Sequence, residues 1–234
     1  MSGPSINWER IRFVVFDVDG TLYDQKALRF QLLREMLSNA LLSRSLTTPR
    51  ILRAYRQLRE DIGDEEVENF ETVLIARTTD KTGIPSATVR AVIADWIEHR
   101  PLAHIRSCRY PHLDRIFAAL KNQNKIIGIY SDYPAVEKLA AMELTADHII
   151  AAGDREVGIL KPHPRGLEIL MQRAGAVPEE TILIGDRPER DGGAARRARV
   201  MPLIRSNKPI DGWNVFSRFS DPVFAPLFNA ADKA

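Results

Sequence analysis

Residues 13–24 read FVVFDVDGTLYD: an apolar run, then Asp17 and Asp19 two positions apart, then Gly20 and Thr21. A short apolar run that ends in turn residues has the pattern of a strand buried on both faces of a sheet. In extended backbone alternate side chains face the same way, so residues 17 and 19 can present both carboxylates to one side. Like charges held that close repel, and the pair calls for a cation, a shared proton or a polar ligand. Asp and Gly also follow strands for turn geometry alone, so the rest of the chain has to decide between the two.

Similar apolar runs recur at Ile126 to Ser131, His148 to Ala152, Thr181 to Gly185 and Val200 to Ile204. Between them lie helical patterns, LDRIFAALKNQ, PAVEKLAAMEL, PRGLEILMQRAG and PERDGGAARRAR, several opened by proline and one closed by Gly175. This alternation predicts an α/β fold with a doubly wound parallel sheet. One interval breaks the rhythm. From Asp24 to about Arg106 the chain shows only amphipathic helical segments, among them ALRFQLLREMLSNALL and PRILRAYRQLREDI. The expected organisation is therefore an α/β core of residues 1–23 and 107–234, with a small all-helical domain, residues 24–106, inserted after the first strand.

With 234 residues the chain can bury a core of that size. Its 33 Lys and Arg against 31 Asp and Glu leave a formal charge of +2, which gives no field arguing for nucleic acid or membrane. The single cysteine, Cys108, excludes an intramolecular disulfide framework and fits a reducing compartment. The N-terminal stretch MSGPSINWERIR has no apolar signal region, and no stretch approaches the about 18 apolar residues of a spanning helix. A soluble cytoplasmic protein, monomer or homodimer, is expected.

In an open α/β sheet the ligand crevice lies outside the carboxyl ends of the strands. Asp17 and Asp19 end the first strand, Ser131 and Asp132 end KIIGIYSDYP, and Asp186 ends TILIGDRPERD. Lys161, in the proline-bracketed turn GILKPHPRG, can hold an ammonium over the same edge. Acids, a hydroxyl and a cation together suit phosphoryl transfer. Asp17 is the candidate nucleophile and Asp19 the acid/base, while Asp17, Asp186 and Asp191 offer hard oxygens to Mg²⁺. Lys161 and Ser131, with the amides around Asp19 to Thr21, are candidate phosphate donors, and Gly20 keeps that turn tight.

These motifs resemble those of the haloacid dehalogenase superfamily, in its phosphatase branch with an inserted helical cap, the phosphoglycolate phosphatase-like type. DVDGT is similar to the family's nucleophile motif, YS to its strand-ending Ser/Thr, KPHP to its lysine motif and GDRPERD to its acidic metal motif. The resemblance implies a Mg²⁺-dependent phosphatase for a small phosphorylated metabolite. In it Asp17 forms an aspartyl-phosphate, Asp19 is acid/base, Ser131 and Lys161 hold phosphate, and Asp186 and the Asp19 backbone carbonyl bind the metal. Asp191 either ligates the ion or holds Lys161 or a metal-bound water. Two positions depart from the pattern: Asp132 stands where many relatives have Asn, and is expected to cap the following helix, and Arg187 replaces a small polar residue.

A haloacid dehalogenase needs no acid for a halide leaving group, so Asp19 argues for phosphate. A phosphonate hydrolase would want a Schiff-base lysine in the insert, where only Lys26 and Lys81 offer themselves. A phosphomutase would use the same core residues, and a non-catalytic ligand-binding module would have no need of repelling carboxylates. His112 and His163 read as turn residues, ARRAR as a solvated helix face, and the aromatic tail WNVFSRFSDPVFAPLF as packed on the core. Arg29 and Arg34 of the first inserted helix are candidates to meet an anionic substrate.

Overall fold

Strand β1 (Phe13–Phe16) is buried along its whole length and pairs in parallel on both sides, Phe13 opposite Ile126 and Thr181. It lies at the centre of a parallel sheet with the order β3-β2-β1-β4-β5-β6, where β2 is Ile126–Ser131, β3 His148–Ala151, β4 Thr181–Gly185, β5 Met201–Arg205 and β6 Val215–Phe216. The computed structural model describes residues 6–43 and 45–229; residues 1–5 of the N-terminal stretch read above lie outside it, as do 44 and 230–234.

Alternation along β1 divides the core between two layers. Val14 and Phe16 face a cluster with Leu113, Ile116, Phe117 and Leu120. Phe16 stacks on Phe117 with ring centroids 5.0 Å apart. Phe13 and Val15 face the opposite cluster, with Leu167, Leu170 and Met171. Helices thus cover both faces, and that is why the strands read as continuous apolar runs. The covering helices are α6 (Leu113–Asn122) and, on the second face, α8 (Arg165–Ala174) with the short α9 (Gly193–Arg197); α7 (Val136–Ala141) joins β2 to β3.

Among the described residues no strand lies between β1 and β2. That interval holds α1 (Gln25–Ser43), α2 (Thr47–Glu65), α3 (Phe70–Thr82), α4 (Ser86–Ile93), which continues through a π-helical turn Ala94–His99, and α5 (Leu102–Cys108). At the two ends of this interval the Asp24 amide donates to the Cys108 carbonyl at 2.8 Å and the Tyr110 amide to the Leu22 carbonyl at 3.0 Å. α2, α3 and α4 share a cluster of Ile51, Ile62, Phe70, Leu74 and Val89 that also rests on Ala152 and Leu160. α1 instead sends Leu28 and Leu32 into the cluster below the sheet.

The aromatic tail does pack on the core, and it adds a strand the sequence pattern did not reveal. Two-residue β6 pairs with β5, and Phe216, Phe219 and Phe224 gather with centroids 5.0 to 5.5 Å apart. A strand that short carries no periodicity; its place is set by the buried phenylalanines beside it. No helix among the described residues is long and apolar enough to cross a membrane.

Candidate active site

β1 closes at Phe16, so Asp17 and Asp19 leave from a loop and not from the strand itself. The Asp17 amide still donates to the Ile184 carbonyl at 2.8 Å, extending the ladder one residue. The chain then turns at Gly20, whose φ of +94° favours glycine. A Cβ there would also come within 2.3 Å of an Asp186 carboxylate oxygen, so glycine is needed for close approach as well as for conformation.

Asp17 is buried, with one oxygen accepting from Lys161 Nζ at 2.6 Å and the other from the Thr21 hydroxyl at 2.8 Å. Lys161 Nζ also donates to Asp191 at 2.6 Å and to the Tyr130 carbonyl at 3.2 Å. Burial lowers the lysine's pKa, but the Asp17 and Asp191 carboxylates outweigh it and the net shift is upward, which keeps the ammonium charged. Thr21 differs from expectation. Its hydroxyl is spent on Asp17 and its amide donates to the Val18 carbonyl at 3.3 Å, so Thr21 organises the loop and leaves the Asp19 and Gly20 amides as the turn's candidate phosphate donors.

Asp191 accepts on both oxygens: Lys161 binds one, and the Asp186 and Arg187 amides bind the other at 3.1 and 2.9 Å. It therefore holds Lys161 and shapes the loop that carries Asp186. Carboxylate oxygens of Asp17, Asp186 and Asp191 lie within 4.8 Å of one another. Asp186 has a buried Oδ1 without a hydrogen-bond partner. Burial, with Asp191 second, pushes the Asp186 carboxyl up to about 7, and burial with the neighbouring acids raises Asp17 against the pull of Lys161. Crowded hard oxygens, one of them unpartnered, are a donor set that fits a divalent cation such as Mg²⁺.

Asp19 sits in a separate arrangement that sequence reasoning missed. Lys138 of α7, almost fully buried, donates to both of its oxygens at 2.6 and 2.9 Å; the Tyr23 hydroxyl donates to one, and Ser131 Oγ lies at 3.5 Å. Burial raises the Asp19 carboxyl, but Lys138 and Tyr23 outweigh it and the net shift is downward. Lys138 stood in the helical pattern PAVEKLAAMEL, where nothing separates a lysine reaching inward from one reaching into water.

The two departures acquire partners. Asp132 does not cap α7: its carbonyl accepts from Arg59 and its carboxylate from the Lys161 amide at 3.4 Å, while Ser131 Oγ takes the Tyr133 amide at 3.2 Å. The reason is spacing, since α7 opens only at Val136, too far along the chain for an Asp132 cap. Arg187 reaches across to α2 and grips Glu60 with both terminal nitrogens, at 3.1 and 2.6 Å. Arg190 joins it, binding the Glu60 carbonyl at 3.0 Å, Asp64 at 2.8 Å and the Lys161 carbonyl at 3.2 Å. Arg197 pairs with Glu66, so the ARRAR face is not wholly solvated. Of the arginines proposed on α1, Arg29 lines a cleft beside Asp19, whereas Arg34 lines a different groove with Glu35, Arg100 and His104.

Buried Arg190 and half-exposed Arg187 should separate in unfolding experiments. Arg190→Ala loses packing and several hydrogen bonds and is expected to cost about 2–3 kcal/mol in urea denaturation. Arg187→Ala should cost less than about 1 kcal/mol, as solvent-screened pairs do. Equal costs would contradict this division.

The family model of the haloacid dehalogenase-like hydrolases matches residues 11–199, from the strand before Asp17 to the end of the Asp191 segment. The chain belongs to that family. Among relatives of this hydrolase, the pyrophosphatase PpaX of Oceanobacillus iheyensis is 28% identical over 196 residues, 81% of each chain. A glyceraldehyde 3-phosphate phosphatase of Methanopyrus kandleri is 27% identical over 206 residues, 85% of each. In fold, the hydrolase is similar to the HAD-hydrolase YfnB of Bacillus subtilis, whose crystal structure is bound to magnesium: TM-score 0.68, 15% identity, with 94% of this chain and 99% of that one covered.

Proposed function

We propose that the enzyme is a Mg²⁺-dependent phosphomonoesterase acting on a small phosphorylated metabolite in the cytoplasm. The observation that carries this reading is Lys161 drawn at 2.6 Å onto both Asp17 and Asp191, with the unpartnered Asp186 oxygen alongside. That is a nucleophile, a fixed cation and an acidic ligand set at one strand edge. The phosphatase relatives support the same substrate class. When bound, Mg²⁺ would be held by Asp17, Asp186 and the Asp19 carbonyl, and would offset charge on the phosphoryl group.

The residues divide the work. Thr21 and Lys161 hold the Asp17 carboxylate in place, and one Asp17 oxygen attacks phosphorus while the bond to the leaving oxygen breaks. Lys161 and the Ser131 hydroxyl face the phosphoryl oxygens. Asp19 gives its proton to the departing alkoxide, then takes one from the water that attacks the aspartyl-phosphate, which releases phosphate and restores Asp17. Between turnovers Lys138 keeps Asp19 ionised, the form the second half-reaction needs. The first half-reaction needs it protonated, so the Lys138 contact has to loosen as the ester arrives.

In this reading residues 24–106 act as a cap over a core of residues 1–23 and 107–234, with the Asp24 to Cys108 hydrogen bond at its base. The Arg187 and Arg190 grips on α2 would tie the cap to the loop that carries Asp186.

The test is phosphate release from nitrophenyl phosphate. Chelation should silence it and Mg²⁺ restore it, whereas Ca²⁺, with longer bonds and looser geometry, should occupy the site without supporting turnover. Full activity in excess chelator would sink the metal assignment.

A further inference from the structure

Helix α1 is apolar on two opposite sides. Leu28 and Leu32 are buried in the core cluster, while Phe30, Leu33, Leu37 and Leu41 stand 63%, 44%, 57% and 78% exposed. At 3.6 residues per turn these four fall within an arc of roughly 80° on the side away from Leu28 and Leu32, and so form one stripe along the helix. Among the described residues seven large apolar side chains are exposed, and five of them, these four and Leu46, lie between residues 30 and 46; Val136 and Val177 are the other two. A single exposed leucine is ordinary, whereas an aligned stripe of four is surface of the kind that a partner covers.

We propose that this stripe is a dimer interface, on which α1 packs antiparallel against α1 of a second copy of the chain. Charge decides both the partner and the direction. The charged residues of α1, Lys26, Arg29, Arg34 and Glu35, all lie in its first part, and Glu35 is already paired with Arg100 and His104; Met36 to Ser43 carries no charge. Parallel pairing would set Arg29 and Arg34 beside their own copies. Antiparallel pairing about a two-fold axis near the middle of the helix lays the basic part of each α1 along the neutral part of the other, toward its carbonyl end, where cations are favoured. A helix built to lie on an anionic membrane carries basic residues along its polar face, and the second half of α1 has none. Area agrees with a second copy. With roughly 100 Å² covered on each of the four side chains, two copies bury about 800 Å² of apolar surface, and at about 65% apolar that is an interface of about 1,200 Å², the lower bound for stable complexes. Leu28 and Leu32 on the other side line the cleft beside Asp19, so the pairing stands apart from the phosphatase reading.

Sedimentation equilibrium of the full chain tests this, and should return twice the chain mass at micromolar concentration. Leu37→Glu should weaken the association by about 100-fold or more, because both copies of a symmetric interface carry the change, and should leave the melting temperature of the separated chain unaltered. Val177→Glu, an exposed apolar position away from α1, should leave the dimer intact. Direction is read from oxidative cross-linking of Phe30→Cys and Leu41→Cys proteins, with the single native Cys108 buried. The two variants should cross-link when mixed and neither should do so alone. A monomer at every concentration, or a dimer that survives Leu37→Glu, would overturn the interface. Cross-linking of either variant alone, or none on mixing, would overturn the antiparallel arrangement. A monomer that floats with phosphatidylserine vesicles, and loses them on Leu37→Glu, would give the stripe to a lipid surface and overturn the proposal as well.

Discussion

Asp17→Asn should abolish turnover, by a factor on the order of 10⁴ or more in kcat, while leaving the fold intact. An amide is too weak a nucleophile to form the acyl phosphate, and no neighbour can substitute. Ser131 Oγ takes the Tyr133 amide at 3.2 Å and lies 3.5 Å from an Asp19 oxygen, with no base placed to activate it, and Asp191 is bound on both oxygens. The fold should survive because Asn fills the same volume and Lys161 keeps Asp191 at 2.6 Å. The exchange also removes one of several crowded carboxylates whose repulsion and burial raise Asp17 above its ordinary range. The melting temperature should therefore stay within a few degrees of the parent. Turnover close to wild type would remove Asp17 as nucleophile; loss of activity together with collapse of the melting transition would make its role structural.

The second large effect concerns Asp19→Ala. A sugar or aliphatic alkoxide is a strong base that leaves poorly without a proton, whereas nitrophenolate leaves readily. General acid catalysis is worth about 10²–10⁴-fold, so the variant should slow phosphoryl transfer from an alkyl phosphate by roughly that much and from nitrophenyl phosphate far less. Because the base for hydrolysis is lost too, steady-state rates mix both effects, and the informative quantity is the single-turnover burst of nitrophenolate. A fast burst followed by slow turnover is the expected result. If the burst falls as steeply for nitrophenyl phosphate as for the alkyl ester, Asp19 serves site structure, a real alternative given that Lys138 and Tyr23 both lean on it.

Much of the architecture was legible because it depends on local rules. Five apolar runs became the five main strands, and the strandless interval after Asp24 became helices, since period and turn residues are properties of short segments. Asp17, Asp186 and Lys161 were placed at one edge because parallel strands put their carboxyl ends together. What stayed hidden depends on packing between distant segments. Lys138 looks like any helix-surface lysine until α7 turns it onto Asp19, and Arg190 becomes a buried strut only where α2 carries Gly63, at which a Cβ would come within 2.6 Å of the guanidinium. Asp132 has the look of a cap in sequence, which does not show that α7 starts only at Val136, nor that Arg59 comes from α2 to claim the Asp132 carbonyl.

The central claim, covalent catalysis by Asp17, is tested most directly by mapping the trapped intermediate. Asp19→Ala protein mixed with nitrophenyl phosphate and Mg²⁺, quenched in acid within the burst and digested, should carry the mass of one phosphoryl group on the peptide containing Asp17. The Asp17→Asn, Asp19→Ala double variant should carry none. A full nitrophenolate burst with no phosphoryl group on that peptide, or with the group on another residue, would contradict it.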